Sequence, residues 1–407
     1  MIHKYRVYFK FFTDYGTYQT DWTDVTEFCH MSSIGALQMN LDNTEYDVGV
    51  YRNPSFTITM RNDSGYFSDV SEGTSWFHYS RTNTQVKVTF EAEDHCIAGL
   101  GTCGYTYASS GPNIIFEGLL SDESMELFLA NQTISFPVIG LEALFQQTIV
   151  PYGSISPGVT ATNFLYTILN QTRITDLLTV SLSNISPNLD LALTPITDFE
   201  FKTVKEALDK VLLVTNSVLY INTSREVIVA PRTASTALQK TFYGQASSLG
   251  PEDILDIKSI KNGLSRTFNY WTWDSTSIYS EDSTSIARYG YRKKALSETF
   301  LSDANKQVSL NALKTEFGNP MMEFEVTTPL TYEILDLTLC GKVAFDYPTP
   351  RIPDSTGLPV CGYAVCGTAV IARSMWALTL SSTTYFKIIG RNIDTKKGTV
   401  KFKVRAI

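Results

Sequence analysis

Few residues in this chain could do chemistry. There are four histidines, His3, His30, His78 and His95, which narrows the options for acid–base and metal chemistry. HCIAGLGTC groups His95 with Cys96 and Cys103, and CGYAVC holds Cys361 and Cys366. Neither has the paired C-x2-C spacing of a structural zinc site, so the plainer reading is Gly-rich apolar loops with incidental thiols. Cys29 directly precedes His30. Neighbours on a strand point to opposite faces, so they become nucleophile and base only if the backbone bends there. Carboxylates cluster as Asp122, Glu123 and Glu126 in SDESMEL and as Glu281 and Asp282 in YSEDST. A glycosidase sets two carboxylates across a cleft, but acids in Ser-rich turns also serve as solvated loop residues. The chain has no HExxH, no GxSxG, no P-loop and no GxGxxG after a strand. These residues lead to the expectation of no catalytic, cofactor-binding or metal site.

Two other stretches carry surface chemistry. FNYWTWD places Phe268, Tyr270, Trp271 and Trp273 within six residues. Its rings could stack on sugars. Apolar residues on both faces also fit a strand buried once in a core and once in a subunit interface, where Tyr, Trp and Phe are enriched. We favour the second reading and take Trp271 and Trp273 as interface candidates. Residues 387–407 hold Lys387, Arg391, Lys396, Lys397, Lys401, Lys403 and Arg405 against Asp394 alone. In KFKVRAI, period-two alternation puts Lys401, Lys403 and Arg405 on one face and Phe402, Val404 and Ala406 on the other. That basic face is either a solvated edge strand or a surface that meets an acidic neighbour.

Composition bounds what these residues can belong to. The 407 residues include 18% charged and 12% aromatic side chains. This balance favours pleated, half-buried surfaces over helices. The net charge of −8 argues against tight binding to DNA or to an anionic membrane. Lys4, Arg6 and Lys10 interrupt the apolar N-terminus. No apolar run approaches the roughly 18 residues of a membrane-spanning helix. A reducing cytosol is the expected site of synthesis, with the cysteines as thiols.

The elements read as β, then α+β, then β. In residues 1–150, YRVYFKF, FTITMR and QVKVTFEAE alternate apolar and polar side chains, as strands of a barrel or sandwich do. Asn62, Asp63, Ser64 and Gly65 then form a turn, with Tyr66 and Phe67 against it. Residues 151–235 open on a Pro/Gly/Ser linker. They predict one helix on Phe164, Leu165, Ile168 and Leu169. A second follows a Thr203/Glu206 capping box, with Val204, Leu208, Val211 and Leu212 on its buried stripe. A hairpin turning at Asn222–Arg225 comes next. Residues 236–407 return to strands, among them SIARYGYRKKALSETF, with one helix near 303–317.

The order of these segments resembles tailed-bacteriophage baseplate hub and tail-tip proteins. The resemblance rests on Trp22, Asp24, Val25 and Thr26, on Asp47, Gly49 and Tyr51, and on Arg61, Asn62, Gly65, Phe67 and Ser68. TVKEALDKVLLVTNSVLYINTSREVIV is similar to the small α+β unit of hub proteins, and RTFNYWTWD through FKIIGRNIDTKKGTVKFKVRAI to their second half. The resemblance implies a mainly β fold with two tube-like antiparallel barrel or sandwich domains, 1–150 and 236–407, around the 151–235 unit. It implies a structural virion protein: a homotrimer that continues a sixfold tail tube, adapts it to a threefold tip, and forms a channel for DNA ejection. Implied partners are a tube or distal tail protein above, a tip, spike or fibre protein below, and DNA in transit, without stable membrane binding. A lysin or receptor binder is expected on a separate polypeptide. The alternative is a cell-wall-degrading tail enzyme or a carbohydrate- or receptor-binding tail module. Segments 91–112 and 350–375 look like added loops.

Overall fold

The computed structural model describes residues 3–407 except 13–16, 44–47, 53–54, 64–66, 68–82, 93–112, 122–125, 152, 154, 233–236, 245–246, 248, 275 and 348–379. The chain begins with strands β1 (His3–Lys10), β2 (Thr23–Asp24), β3 (Ala36–Asn43), β4 (Val48–Arg52), β5 (Phe56–Arg61), β6 (Gln85–Ala92), β7 (Asn113–Leu120), β8 (Glu126–Phe128) and β9 (Thr133–Gly140). Helices α1 (Ala143–Gln147), α2 (Ala161–Leu169), α3 (Thr172–Thr175) and α4 (Val204–Val214) follow. Short strands β10 (Val159–Thr160) and β11 (Ala192–Leu193) fall among them, and the hairpin β12 (Ser217–Ile221) and β13 (Val227–Pro231) comes after. The remainder is β14 (Leu238–Tyr243), β15 (Asp256–Lys261), β16 (Tyr270–Trp273), β17 (Tyr279–Glu281), α5 (Ser283–Tyr289), β18 (Lys293–Leu296), α6 (Asp303–Phe317), β19 (Glu323–Pro329), α7 (Tyr332–Leu335), β20 (Lys342–Asp346), β21 (Tyr385–Asp394) and β22 (Thr399–Ala406).

Local chemistry sets many of these elements. Thr203 Oγ1 accepts from the Glu206 backbone N–H, and Glu206 Oε2 accepts from the Thr203 N–H, so the predicted capping box starts α4. Ser302 caps α6, which buries Leu310, Leu313 and Phe317. Ile58 and Met60 of β5 face the core. Beyond β5, Asn62 Oδ1 accepts from the Phe67 N–H at 2.9 Å, and Phe67 packs edge-on against Phe28 and Phe136. The aromatic behind the turn therefore anchors it to the core; Gly65 and Tyr66 lie outside the described residues. In SIARYGYRKKALSETF the structure departs from the predicted strand. Asp282 accepts from the Ser285 N–H and starts helix α5, Gly290 at φ +74 ends it, and only Lys293–Leu296 are extended.

Strand pairing crosses the expected boundaries. The first sheet runs β2-β1-β6-β7-β9-β5, with β8 also on β9. The second runs β13-β12-β4-β3-β21-β22-β19-β15, with β20 and β14 continuing from β21. Thus β3 and β4, from within 1–150, lie between the α+β hairpin and the C-terminal strands. Residues 264–317, from within 236–407, put Trp271, Trp273 and Phe317 into the core of the 151–235 unit. A separate core runs continuously through both large sheets, from Val7 to Val404.

The two large sheets share a strand order. In the first, β6-β7-β9-β5 are neighbours; in the second, β20-β21-β22-β19 are. Numbered along the chain, each quartet reads second, third, fourth, first, and every pairing is antiparallel, a Greek-key order. The segments singled out as added loops, 91–112 and 350–375, lie almost wholly outside the described residues; in sequence they fall between the second and third strands of each quartet.

Candidate assembly surfaces

The C-terminal strand keeps its alternation but only part of its basic face. β22 lies between β21 and β19, so it is an interior strand, not an edge. Phe402 and Val404 are buried in the core, Lys401 is exposed and Lys403 half-buried. Lys403 sits across from Glu325, and Arg405 across from Glu323. Arg405 is fully buried, with Nε 3.7 Å from Glu323 Oε1 and its guanidinium 5.4 Å from the Phe317 ring centre. Arg405 is therefore removed from the interface candidates: α6 covers that end of the face. Of the other cations in this stretch, Lys387 is buried. Arg391 donates to the Leu335 and Leu337 carbonyls, and burial lowers its pKa to about 10.

Lys387 and Arg405 belong to an ionic cluster that fixes α6 to the second sheet. Glu316 pairs with Arg232 and accepts from Lys387 Nζ at 3.2 Å. Lys387 also donates to the Arg232 carbonyl. Arg266 approaches Glu323 at 3.2 Å, and the Arg232 guanidinium lies 4.2 Å from the Phe317 ring centre. Burial alone would raise the Glu316 pKa. The charges of Arg232, Lys387 and Arg405 outweigh it and hold the carboxyl below its ordinary range. The sequence missed this cluster because its members are scattered from 232 to 405 and look like surface charges one at a time.

The aromatic run divides by face. Trp271 and Trp273 are buried, their indole N–H groups donating at 2.8 Å to the Phe268 and Glu298 carbonyls. They are core residues of the subunit and cannot contact a neighbour, which corrects their reading as interface candidates. Strand alternation puts Tyr270 on the opposite side, where it stacks with Tyr279 and meets Tyr291 edge-on. Tyr279 and Tyr291 are exposed, so the outward aromatic surface is made of tyrosines.

The residues that could do chemistry are dispersed. Cys29 donates to the Val25 carbonyl, and burial, with Asp24 nearby, pushes its thiol up to about 12. A thiol held protonated is a poor nucleophile. Asp282 is engaged as the α5 cap beside exposed Glu281. Glu126 is exposed on β8. His78, His95, Cys96, Cys103, Asp122, Glu123, Cys361 and Cys366 lie outside the described residues.

Several strands lack a strand partner on one side among the described residues, β2, β8, β14, β15, β17 and β18 among them. β8 pairs with β9 on one side, and all three of its residues are exposed, Leu127 and Phe128 included. β15 ends the second sheet on β19, with Lys258, Ser259, Ile260 and Lys261 all exposed.

No family model and no curated protein matches this chain. Solved structures do match in fold. A tail protein from Neisseria meningitidis MC58 aligns over 99% of this chain and 96% of its own, with TM-score 0.55 and 10% identity. The 43 kDa tail protein of prophage MuSo2 from Shewanella oneidensis aligns over 99% and 98%, at 0.52 and 12%. Prophage tail protein gp18 from Listeria monocytogenes EGD-e aligns over 98% and 94%, at 0.50 and 11%. The fold is that of phage and prophage tail proteins, spanned end to end.

Proposed function

We propose that this chain is a structural hub of a phage-type tail, which assembles as a homotrimer and continues the tail tube toward a threefold tip. The observation that carries this reading is the strand order common to the two large sheets. A subunit holding two copies of one β-unit presents six such units when three subunits surround an axis. That number matches a sixfold tube above, while the subunit count matches a threefold structure below. The shared fold with phage tail proteins supports the tail setting. Partners in this reading are a tube or distal tail protein on one side and a tip, spike or fibre protein on the other. Viral DNA passes through the channel without sticking, in keeping with the net charge of −8. The role is structural, without catalysis. The test is light scattering on the purified chain followed by electron microscopy of tail particles. A ring of three with a central channel, placed at the end of the tube, is the expected result. A monomer at all concentrations, or a lumen lined mainly by Lys and Arg, overturns the reading.

A further inference from the structure

We propose that a cleft between the two large sheets binds a single carboxylate group on the Arg391 guanidinium. The proposal goes beyond the hub reading and does not depend on it. The cleft has a volume of about 40 Å³ and lies where β7, β3, β21 and the tip of the β12–β13 hairpin meet. Its wall is mainly apolar, with Ile114, Phe116, Leu141 and Ile221 in it, and Arg391 supplies its cation.

Arg391 is half-buried, and its Nε is out of reach of water. Nη1 donates to the Leu335 carbonyl at 3.1 Å and to the Leu337 carbonyl at 3.4 Å, which ties that nitrogen to the end of α7. Nη2 reaches Met39 Sδ, a weak acceptor. The Nε–H has no acceptor among the described residues. Every one of these partners is neutral. Burial lowers the Arg391 pKa, and no neighbouring charge acts against it. Glu117 lines the same cleft, but Arg225 holds both of its oxygens, at 2.8 and 3.1 Å. The buried cations Arg232, Lys387 and Arg405 each stand beside a glutamate. Arg391 does not, and a charge withdrawn from water is costly until an opposite charge meets it.

The site selects among anions by shape, charge and size. The Nε edge of a guanidinium matches the planar fork of a carboxylate. One cation balances a monoanion, and a phosphate dianion would leave one charge unanswered beside Glu117. The volume, little more than one water's share of about 30 Å³ in the liquid, admits a carboxyl group but not a nucleotide. The apolar wall suits a short alkyl stem. The carboxyl can belong to a free short-chain acid or to a Glu or Asp side chain of a neighbouring polypeptide.

The experiment is thermal melting of the full chain near neutral pH. It is titrated with sodium acetate or with the α-amide of N-acetylglutamate, against sodium chloride at equal ionic strength. A carboxylate is expected to raise the melting temperature saturably, half-complete at about 1–10 mM, where chloride does not. Arg391→Met should abolish the rise. Ile114→Phe, which fills the cleft and keeps the arginine, should abolish it too. Circular dichroism checks that each variant is folded, and Ile114→Phe decides the matter if Arg391→Met does not fold. A stronger response to acetate assigns the free acid, and a stronger response to the glutamate derivative assigns a side chain of a neighbour. An equal rise with chloride would mean an unselective counter-ion. No rise with any salt would mean that water alone satisfies Nε. A rise that persists in both variants would place the carboxylate elsewhere. Each of these three results overturns the proposal and leaves the hub reading untouched.

Discussion

Replacing Glu316 by alanine removes the carboxylate that answers Arg232 and Lys387 inside the protein. The side chain is 9% exposed and both cations are 1% exposed, so water cannot take over the lost role. Removing one partner from a buried ion pair costs about 3–5 kcal/mol, because the opposite charge stays behind. Each kcal/mol moves the melting temperature by about 2–4 °C for a cooperative unit of roughly 150–250 residues. Glu316→Ala should therefore melt roughly 6–20 °C below the unmodified chain in a calorimetric scan. The same carboxyl gives the pH dependence its sign. Its folded-state pKa lies below that of the unfolded chain. The stabilisation is thus complete above the unfolded value and drains away as pH falls through the folded one. Acidification should lower the melting temperature of the unmodified chain, and lower that of Glu316→Gln less steeply. An apolar replacement of the three groups together, Arg232→Met, Glu316→Leu and Lys387→Met, should be close to neutral. A loss of under about 2 °C for Glu316→Ala would refute the claim that this cluster holds α6 to the sheet.

Trp271→Ala should cost about 3–5 kcal/mol in chemical denaturation, because it empties a fully buried ring site in the second core; a cost under about 1 kcal/mol would mean that the site is open to solvent or to a partner. Thr203→Ala should cost about 1 kcal/mol by removing the α4 cap, with Thr203→Ser near neutral. Iodoacetamide at pH 8 should leave Cys29 unlabelled in the native chain and label it in denaturant, as read by peptide mass mapping. Lys401→Glu should leave melting nearly unchanged, whereas Arg405→Glu should prevent folding, since Lys401 is exposed and Arg405 is buried.

Local chemistry made much of this protein legible in sequence. The Thr203/Glu206 box, the stripe from Val204 to Leu212, the hairpin turn at Asn222–Arg225 and the alternation of β5, β6 and β22 all depend on residues a few positions apart. Such signals hold wherever the element lies. Interior charge was not legible. Lys401, Lys403 and Arg405 have the same period and the same type, yet α6 buries one and leaves the others at the surface. FNYWTWD announced a strand with two used faces, and the core took its tryptophans while the tyrosines stayed outside. Which strands meet was equally hidden. The pairing of β3 with β21 joins residues more than three hundred positions apart, and period-two alternation says which face is buried but not against what. The sequence alone determined the elements and their faces, through short-range hydrogen bonding and hydrophobic period. Tertiary structure alone decided the shared strand order and the burial of Arg405, because those depend on what packs against each strand.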